Sequence, residues 1–403
     1  MSTIALAFLR NRGDVLFQQS ATATDTPHWT VHTTDVGANE QPLTAARRAV
    51  TTDIGVDVNA VSLAYAGEPL SASTVAGEQT AYPFMFDTTT RSTTTSNPTE
   101  WCPPTEMLTR ETPPWLWEAY QAVAPTSASI AADEEHGSAE LSIRALSALR
   151  DTAAVADEMA AVHATARSLV NARPTMAVVS NRINRVLSEA PSTPREVHDR
   201  ATEAIDAAGT ADRRAAQNVI EHLSGTVLTL SRSGTVIDAL IRAGHPTMVT
   251  ESRPACEGVT TAEKLVRAGI DVTVTTDAAA AMHIGNGAVD AVLVGADTIL
   301  PNGDVVNKVG TRSLMLAAAD ASIPRYVVSA QDKIAPELEF YQEDGDREDL
   351  YTGPESLTVS NPLFDRTSSE LLSGVITETG LLTQRDIEMV AAQHRSNATW
   401  DEH

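Results

Sequence analysis

The chain has 403 residues, with 53 acidic and 29 basic side chains and a formal net charge of −24 at neutral pH. At this length we expect two or three domains, and a hydrophobic content of 42% is sufficient for their cores. So negative a field repels the phosphates of nucleic acids, which excludes nucleic-acid binding as the main activity. The amino terminus does not resemble a targeting segment and no apolar run reaches membrane-spanning length, so we expect a soluble cytoplasmic protein.

The cysteines and lysines indicate the environment in which the protein works. Cys102 and Cys256 lie in different segments, which is not a disulfide framework and fits a reducing compartment. Only three lysines occur, Lys264, Lys308 and Lys333, against a large excess of acids. Acid-rich, lysine-poor surfaces suit a high-salt cytoplasm because salt screens their self-repulsion. We therefore predict a halophilic, haloarchaeal source.

Residues 1–124 have the pattern of a small α/β domain. Strand-like runs at 4–9 and 15–18 flank an Asn-Arg-Gly-Asp turn, a helix follows at 41–52, and further strand-like runs lie at 61–65 and 82–86. The stretch AARRAVTTDIGV resembles the signature helix of the Nudix family, which implies an α/β/α sandwich. The residues in register with that signature are Glu40, Arg48, Val50, Gly55 and Val56.

The Nudix resemblance is incomplete at the metal site. The family's helix carries glutamates on one face because a hard divalent cation takes several carboxylate oxygens. Ala49 and Thr52 occupy two of these glutamate positions, so Glu40 and Asp53 remain as vestigial metal residues. We therefore predict a retained scaffold in preference to a ligand-sensing module, and a Nudix hydrolase is the weakest alternative.

Residues 125–210 are predicted to be a linker followed by a helical subdomain. The linker is the small, polar stretch 125–134. Apolar residues at helical spacing then predict helices over 138–167, 176–187 and 202–223, with an Arg-Pro-Thr turn at 173–175.

Residues 211–403 alternate short apolar strands with helices, which indicates a Rossmann-like, doubly wound parallel sheet. The stretch 291–311 contains a buried strand followed by Asp297, and then Asn307, Lys308 and Gly310. An aspartate at the carboxyl end of a strand faces the usual crevice of such sheets, and a nearby lysine can hold a phosphate. We therefore predict a binding site in this stretch.

Four motifs follow one another in this part of the chain: VLTLSRSGTV, TESRPACEG, GADTILPNGDVVNKVGT and NPLFDRTSSELLSGVITETG. Together they resemble the alpha, beta and delta subunit family of eukaryotic translation initiation factor 2B. The resemblance covers roughly residues 137–380. The family includes two sugar-phosphate isomerases, for methylthioribose 1-phosphate and for ribose 1,5-bisphosphate.

The resemblance implies a phosphosugar pocket above the sheet. Asp297 falls on the acid that the isomerases use for proton transfer between sugar carbons, and their catalytic cysteine falls on Ser231. These two are our catalytic candidates, and no cofactor is implied. The ligand-binding candidates are the pair Asn307 and Lys308, the polar residues Arg173, Glu251 and Arg253, and Ser233 and Gly234. The stretch with Ser233 and Gly234 either cradles a phosphate or caps a helix.

Two departures from the isomerase pattern affect the functional prediction. A serine hydroxyl is a poor substitute for a thiol in proton transfer, and Cys256 is either a replacement thiol or an inert packed residue. The His136-Gly137-Ser138 turn stands where the isomerases tend to carry Arg-Gly-Ala at a phosphate contact. The missing arginine argues against a doubly phosphorylated substrate.

Our main prediction is a regulatory, non-catalytic relative of the initiation factor subunits that binds a nucleotide or sugar phosphate. Loss of the cysteine and of the Nudix glutamates supports it. The alternative is an aldose–ketose isomerase of phosphorylated ribose, supported by Asp297, Asn307 and Lys308. By the family resemblance, we expect a homodimer or larger assembly formed through the C-terminal domain, without membrane or nucleic-acid partners.

Overall fold

A computed structural model describes residues 2–20, 28–74, 77–95, 97–133, 136–340 and 342–401. The chain forms two compact units, each assembled from three segments. The first unit comprises Met1–Ile130, Ile143–Thr165 and Thr193–Ile205, and the second comprises Ala131–Ser142, Ala166–Ser192 and Asp206–His403. The helices of the predicted middle segment are thus divided between both units. The predicted domain boundaries, 1–124, 125–210 and 211–403, stay a prediction.

The first unit contains a mixed eight-stranded sheet with the central order β3-β2-β1-β7-β5. Strands β1 and β7 are parallel, and the other pairs are antiparallel. The strands are β1 (Thr3–Asn11), β2 (Asp14–Gln19), β3 (Trp29–Thr30), β4 (His32–Asp35), β5 (Val61–Ala66), β6 (Leu70–Thr74), β7 (Gly77–Thr88) and β8 (Thr99–Cys102).

Strand β1 is buried on both faces because successive side chains point to opposite sides of the sheet. Leu6 and Phe8 pack in one core with helix α2 (Leu116–Gln121), and Ala7 and Leu9 pack in another with helix α1 (Pro42–Arg48). The helix predicted at 41–52 continues past α1 as a π-helical turn, Ala49–Asp53. The sheet of this unit therefore lies between two helical layers.

The described residues between α2 and the next strand form the α-helices α3 (Ser127–Ala131), α4 (Ser138–Val155), α5 (Met159–Val170), α6 (Ala177–Leu187) and α7 (Pro194–Val219). The predicted linker 125–134 contains α3, and its last residue, Glu134, lies outside the described residues. Helix α7 begins eight residues before its predicted start. Pro194 is favourable in a first helical turn, and the Thr193 hydroxyl accepts a hydrogen bond from the Glu196 N–H at 3.2 Å.

The second unit is built on a seven-stranded sheet with the order β11-β10-β9-β12-β15-β17-β18, parallel except for β18. The strands are β9 (Val227–Thr229), β10 (Thr247–Thr250), β11 (Val272–Thr275), β12 (Ala291–Val294), β15 (Arg325–Val328), β17 (Gly374–Thr377) and β18 (Gly380–Leu382). A small antiparallel sheet contains β13 (Thr298–Ile299), β14 (Val305–Lys308) and β16 (Phe364–Thr367).

Helices of this unit alternate with the strands of the parallel sheet, and two hydrophobic cores contain residues of that sheet. The helices are α8 (Gly234–Ala243), α9 (Glu257–Arg267), α10 (Ala280–Gly285), α11 (Thr311–Asp320) and α12 (Gln384–Asn397). Within the described ranges, none of the protein's helices has the length and apolar character needed to cross a bilayer.

The direction of chain travel across the sheet reverses between β9 and β12. From β9 the chain moves outward through β10 to β11, then returns to place β12 on the other side of β9 and continues outward through β15 to β17. At such a reversal, the loops that follow the two neighbouring strands run to opposite sides of the sheet. They leave a crevice between them at the carboxyl ends of these strands. The site must therefore be sought in the loops that follow β9 and β12.

Candidate functional site

The loops after β9 and β12 lie against each other at the reversal point. Gly295 follows β12, and a Cβ atom at this position would lie 2.7 Å from the Ser233 Oγ, which is closer than real Cβ contacts. Glycine is therefore needed for the approach of the two loops. Ser233 also caps helix α8 by accepting a hydrogen bond from the Val236 N–H at 3.4 Å, and Gly234 is the first residue of that helix.

Ser231 is held by its backbone. It has a φ of 60°, in the left-handed region that non-glycine residues rarely adopt. Its N–H donates to the Ser252 Oγ at 2.6 Å, and its carbonyl oxygen accepts from the Thr261 hydroxyl at 2.7 Å. Ser252 also has a positive φ, and its N–H donates to the Asp277 carboxylate at 2.8 Å. The loops after β9, β10 and β11 are thus joined by hydrogen bonds.

Asp297 is fixed at both its backbone and its side chain. Its N–H donates to the Val306 carbonyl oxygen at 3.0 Å, which ties the loop to β14. Its carboxylate accepts a hydrogen bond from the Ser138 hydroxyl at 2.9 Å, and Ser138 itself is buried. These two hydrogen bonds hold the half-buried carboxylate in one orientation, in which it can act as a base.

A buried ammonium group lies beside this carboxylate. Lys333 Nζ donates a hydrogen bond to the carbonyl oxygen of Ala296, the residue before Asp297. Burial lowers the pKa of Lys333, and the negative charges of Asp297 and Asp212 oppose this shift. An ammonium group with a lowered pKa is a better proton donor and a strong source of positive charge near Asp297.

Buried ion pairs hold the turn that carries Lys333. The Asp332 carboxylate pairs with Arg182 at 2.9 Å and with Arg185. Burial by itself would raise the pKa of Asp332, but the two guanidinium groups outweigh it and lower that pKa to about 2. Asn181 Nδ2 donates to the backbone carbonyls of Asp332 and Ile334, at 2.9 and 2.8 Å. This network positions Lys333 through its neighbours.

Asn307 and Lys308 lie on β14 and are buried. Asn307 Nδ2 donates to the Thr311 hydroxyl at 2.9 Å, at the start of α11. Lys308 Nζ lies 2.8 Å from Oε1 of Glu257, the first residue of α9. The predicted pair is therefore present next to the Asp297 loop, and its lysine is already engaged by a carboxylate.

The remaining candidates of the second unit lie on loops. Arg173 donates a hydrogen bond to the Asp133 carbonyl oxygen. Glu251 follows β10, and its N–H donates to the Thr275 carbonyl oxygen at 2.8 Å. Arg253 is exposed, and its guanidinium contacts the Cys256 sulfur at 3.6 Å. The structure thus brings Ser233 against the loop that carries Asp297, whereas the guanidinium of Arg253 faces the Cys256 loop.

In the first unit, the two residues predicted to be vestigial Nudix metal ligands lie close to the same arginine. Arg48 donates to the Glu40 carboxylate at 3.2 and 3.3 Å and lies 3.9 Å from Asp53. His32 Nε2 lies 3.2 Å from Asp53 Oδ2, the same oxygen that Arg48 approaches. Burial lowers the pKa of His32, although Asp53 opposes the shift. Among the described residues, no group of three or more metal-ligating side chains is assembled.

Sequence reasoning missed three residues of the site: Ser138, Glu257 and Lys333. Lys333 carried the same signal as Lys308, since both are rare lysines in an acid-rich chain. Ser138 belongs to the turn noted for its departure from Arg-Gly-Ala, and Glu257 belongs to the TESRPACEG motif. Their contacts join positions 159, 51 and 37 residues apart in the chain, which no local pattern reveals.

The fold and this crevice define a doubly wound α/β protein with a polar site at the topological reversal of its sheet. The chain belongs to the initiation factor 2 subunit family, whose sequence profile matches residues 134–384, more than half of its length.

Several curated relatives are named as isomerases. The ribose 1,5-bisphosphate isomerase of Archaeoglobus fulgidus is 33% identical over 237 residues, which are 54% of this chain and 74% of the relative. The methylthioribose-1-phosphate isomerase of Rhodopirellula baltica is 36% identical over 195 residues, 44% of this chain and 55% of the relative. The 5-deoxyribose 1-phosphate isomerase of Bacillus cereus is 34% identical, and the match covers 51% of this chain and 63% of the relative. The chain therefore spans about half to three quarters of the length of these relatives.

Solved structures of the family have the same fold. The translation initiation factor eIF-2B of Pyrococcus horikoshii has a TM-score of 0.59 at 28% identity, covering 65% of this chain and 97% of that chain. The 5-methylthioribose 1-phosphate isomerase of Pyrococcus horikoshii has a TM-score of 0.56 at 23% identity, covering 73% and 89%, and supports the fold alone. The predicted mixed α/β fold with a parallel sheet is confirmed.

The predicted regulatory, non-catalytic function is wrong. Relatives with 33% to 41% identity are named as isomerases, which favours the isomerase alternative. The prediction rested on the serine at position 231 and on the loss of the Nudix glutamates. Proton transfer between carbons depends first on a positioned base, and the Asp297 carboxylate is present with its own hydrogen-bond donor.

Proposed function

We propose that this protein is an aldose–ketose isomerase that acts on a ribose-type sugar phosphorylated at C1. The names of the three relatives share a ribose with a 1-phosphate and differ at C5. The observation that carries the proposal is the Asp297 carboxylate at the reversal point of the sheet, held by Ser138 and next to the loop that carries Lys333. The proposed catalytic region is the predicted domain 211–403, with Ser138 and Arg182 contributed by the helices before it.

The reaction rearranges two protons and opens the sugar ring. The C2–H, O2–H and C1–O4 bonds break, C1–H and O4–H bonds form, and the C2–O bond becomes the carbonyl of the ketone. The C2 proton moves to C1. The C2 hydroxyl loses one proton and O4 gains one, so the number of protons is unchanged. One carboxylate can perform both carbon proton transfers, because it is a base before the first and an acid before the second.

Asp297 is the group that we assign to the carbon proton transfers. Ser138 is a positioning residue, since its hydrogen bond at 2.9 Å holds the carboxylate in one orientation. The buried ammonium group of Lys333 stabilises the negative charge that develops on the ring oxygen O4 when the proton leaves C2 and the C1–O4 bond breaks. Ser231 lies on the adjacent loop and is proposed to bind a sugar oxygen through its hydroxyl.

The phosphate on C1 is proposed to bind at the start of α8. This ten-residue helix begins at Gly234, in the crevice formed by the loops after β9 and β12. N–H groups at a helix start and the helix dipole favour an anion. Ser233 and Gly234 therefore remain our phosphate candidates, while Asn307 and Lys308 on β14 and the loop residues Arg173, Glu251 and Arg253 remain candidates for contacts to the rest of the ligand.

The decisive experiment is a turnover assay in molar salt. Ribose 1-phosphate, 5-deoxyribose 1-phosphate, methylthioribose 1-phosphate and ribose 1,5-bisphosphate would be incubated with the protein and followed by phosphorus and proton NMR. Formation of the ketose in the wild type, and its loss in Asp297→Asn, supports the proposal. If none of the four sugar phosphates is converted, the proposal is wrong.

We infer a separate, scaffold role for the first unit, as a Nudix-like domain without hydrolase activity. The parallel pairing of β1 with β7, the helix α1 and the Arg48 side chain between Glu40 and Asp53 support this inference. Arg48 places a positive charge where the vestigial acids would hold a cation. Nucleoside diphosphate derivatives should therefore remain intact in the presence of magnesium, and their hydrolysis by the wild type would contradict the inference.

We also propose that the protein assembles into homo-oligomers. An eIF2B-beta2-delta2 complex from C. thermophilum, with a chain of the same fold, is described as tetrameric. Analytical ultracentrifugation in molar salt, where surface repulsion is screened, tests this assembly, and a monomer at micromolar concentration would contradict it. The same experiments at low salt test the predicted halophilic character.

A further inference from the structure

The lysine of β14 and the first residue of α9 form an ion pair next to the loop that carries Asp297. Lys308 Nζ lies 2.8 Å from Glu257 Oε1, and the exposed fractions of the two side chains are 9% and 22%. The second carboxylate oxygen, Glu257 Oε2, is buried and has no hydrogen-bond partner among the described residues. A buried acceptor without a donor is costly, so this oxygen marks a place where a ligand donor is favoured.

The charges of the crevice limit the number of phosphates that it can hold. Lys308 faces Glu257, and Lys333 faces the negative charges of Asp297 and Asp212. Each buried lysine is thus balanced by at least one carboxylate. A phosphate brought to Lys308 would also approach Glu257, and the repulsion between like charges in a partly buried site is strong.

We propose that Glu257 is a specificity-determining residue that restricts the isomerase to substrates with a single phosphate, by requiring a hydroxyl group at the Lys308–Glu257 pair. This inference rests on the isomerase function proposed above and names its substrate class. It makes ribose 1-phosphate a better substrate than ribose 1,5-bisphosphate, which differs from it only by the phosphate on O5.

The chemistry of the pair explains the selection. A hydroxyl oxygen accepts a hydrogen bond from the Lys308 ammonium group, and its proton is donated to Glu257 Oε2. Both members of the pair are then satisfied without a net charge. A phosphate dianion offers acceptors only, so it leaves Glu257 Oε2 without a donor and adds repulsion. The His136-Gly137-Ser138 turn, which lacks an arginine, agrees with a single phosphate.

The test compares ribose 1-phosphate with ribose 1,5-bisphosphate in the wild type and in Glu257→Gln. The amide keeps the size of the side chain and can donate a hydrogen bond to a phosphate, while the negative charge is lost. We expect the wild type to prefer ribose 1-phosphate, and the ratio of kcat/KM for the bisphosphate over the monophosphate to rise by about tenfold or more in Glu257→Gln.

The matched control is Glu263→Gln. Glu263 lies on the same helix, its side chain is 56% exposed, and it pairs with Arg267 at 3.0 Å. This variant removes the same charge from the surface of α9 and should leave the ratio unchanged. A wild type that prefers the bisphosphate, or a ratio in Glu257→Gln within twofold of the wild type, would overturn the inference.

Calorimetric titration with the same two sugar phosphates separates this inference from the proposed function. If neither is converted but Glu257→Gln gains affinity for the bisphosphate relative to ribose 1-phosphate, the charge selection stands and the isomerase proposal fails. If both are converted with an unchanged ratio, only the charge selection fails. If neither compound binds to the wild type or the variants, both proposals are wrong.

Discussion

The Asp297→Asn substitution gives the most direct test of the proposed chemistry. The asparagine Oδ1 can still accept the hydrogen bond from Ser138 that the carboxylate accepts at 2.9 Å, so the side chain keeps its position. The amide cannot take a proton from carbon, and the contribution of a positioned general base to a rate is about 10²–10⁴-fold. We therefore expect kcat to fall by about 10³-fold, with a much smaller change in KM.

The loss of charge also affects the neighbouring ammonium group. Lys333 is buried, and the negative charges of Asp297 and Asp212 oppose the lowering of its pKa. With Asp297 neutral, the pKa of Lys333 falls further, but Asp212 and the Ala296 carbonyl oxygen remain as partners. We therefore expect the variant to fold, with a decrease in unfolding free energy of about 1 kcal/mol, as for the loss of one charged contact.

The assay is phosphorus NMR of ketose formation in molar salt, with circular dichroism as the measure of folding. Asp320→Asn is the matched control, since Asp320 is an exposed aspartate at the end of α11 and should retain full activity. A folded Asp297→Asn protein with kcat within tenfold of the wild type would remove Asp297 from the mechanism.

Three further predictions concern the residues that support the site. Ser138→Ala removes the donor to Asp297 and should lower kcat by about fivefold, equivalent to one hydrogen bond, while Ser138→Thr retains most of it; equal rates for both would refute the positioning role. Gly295→Ala places a Cβ 2.7 Å from the Ser233 Oγ, so unfolding free energy should drop by about 1–3 kcal/mol and turnover should decline, and a wild-type melting temperature would contradict this reading. Because Arg182 and Arg185 lower the pKa of Asp332 to about 2, its contribution of about 2 kcal/mol is present above pH 4 and is lost as the pH falls toward 2. Denaturant unfolding of Asp332→Asn should therefore show a flatter stability profile between pH 4 and 2 than the wild type, and parallel profiles would contradict the assignment.

The helical and strand periods predicted most of the secondary structure of both units. Runs such as 4–9, 176–187 and 291–294 have one period over their whole length and correspond to β1, α6 and β12. The prediction was less accurate at helix ends, since Thr193 and Pro194 start α7 eight residues before its predicted start. The helix predicted from 138 to 167 is in fact two helices, with a break between Val155 and Met159. The periodicity did not reveal this break because the apolar positions continue at helical spacing on both sides of it.

The regulatory, non-catalytic function was predicted wrongly because one side chain was given too much weight. Position 231 was judged by the chemistry of one side chain, and its hydroxyl is indeed a weak acid and base. The reactivity of a site depends on how a base is oriented and which charges surround it, and these were not visible around Asp297. The relatives named as isomerases, together with the Ser138 and Lys333 contacts, shift the balance toward catalysis.

Local sequence patterns were sufficient to predict the alternating strands and helices of the doubly wound sheet. They also predicted Asp297 at the end of a buried strand, with Asn307 and Lys308 nearby. These depend on period, turn residues and strand ends, which are properties of neighbouring residues. Only the tertiary structure brings Ser138 to Asp297, Glu257 to Lys308 and Lys333 to the Ala296 carbonyl. Such contacts arise from the order of strands and the packing of helices, so the charge of the pocket was decided by the fold.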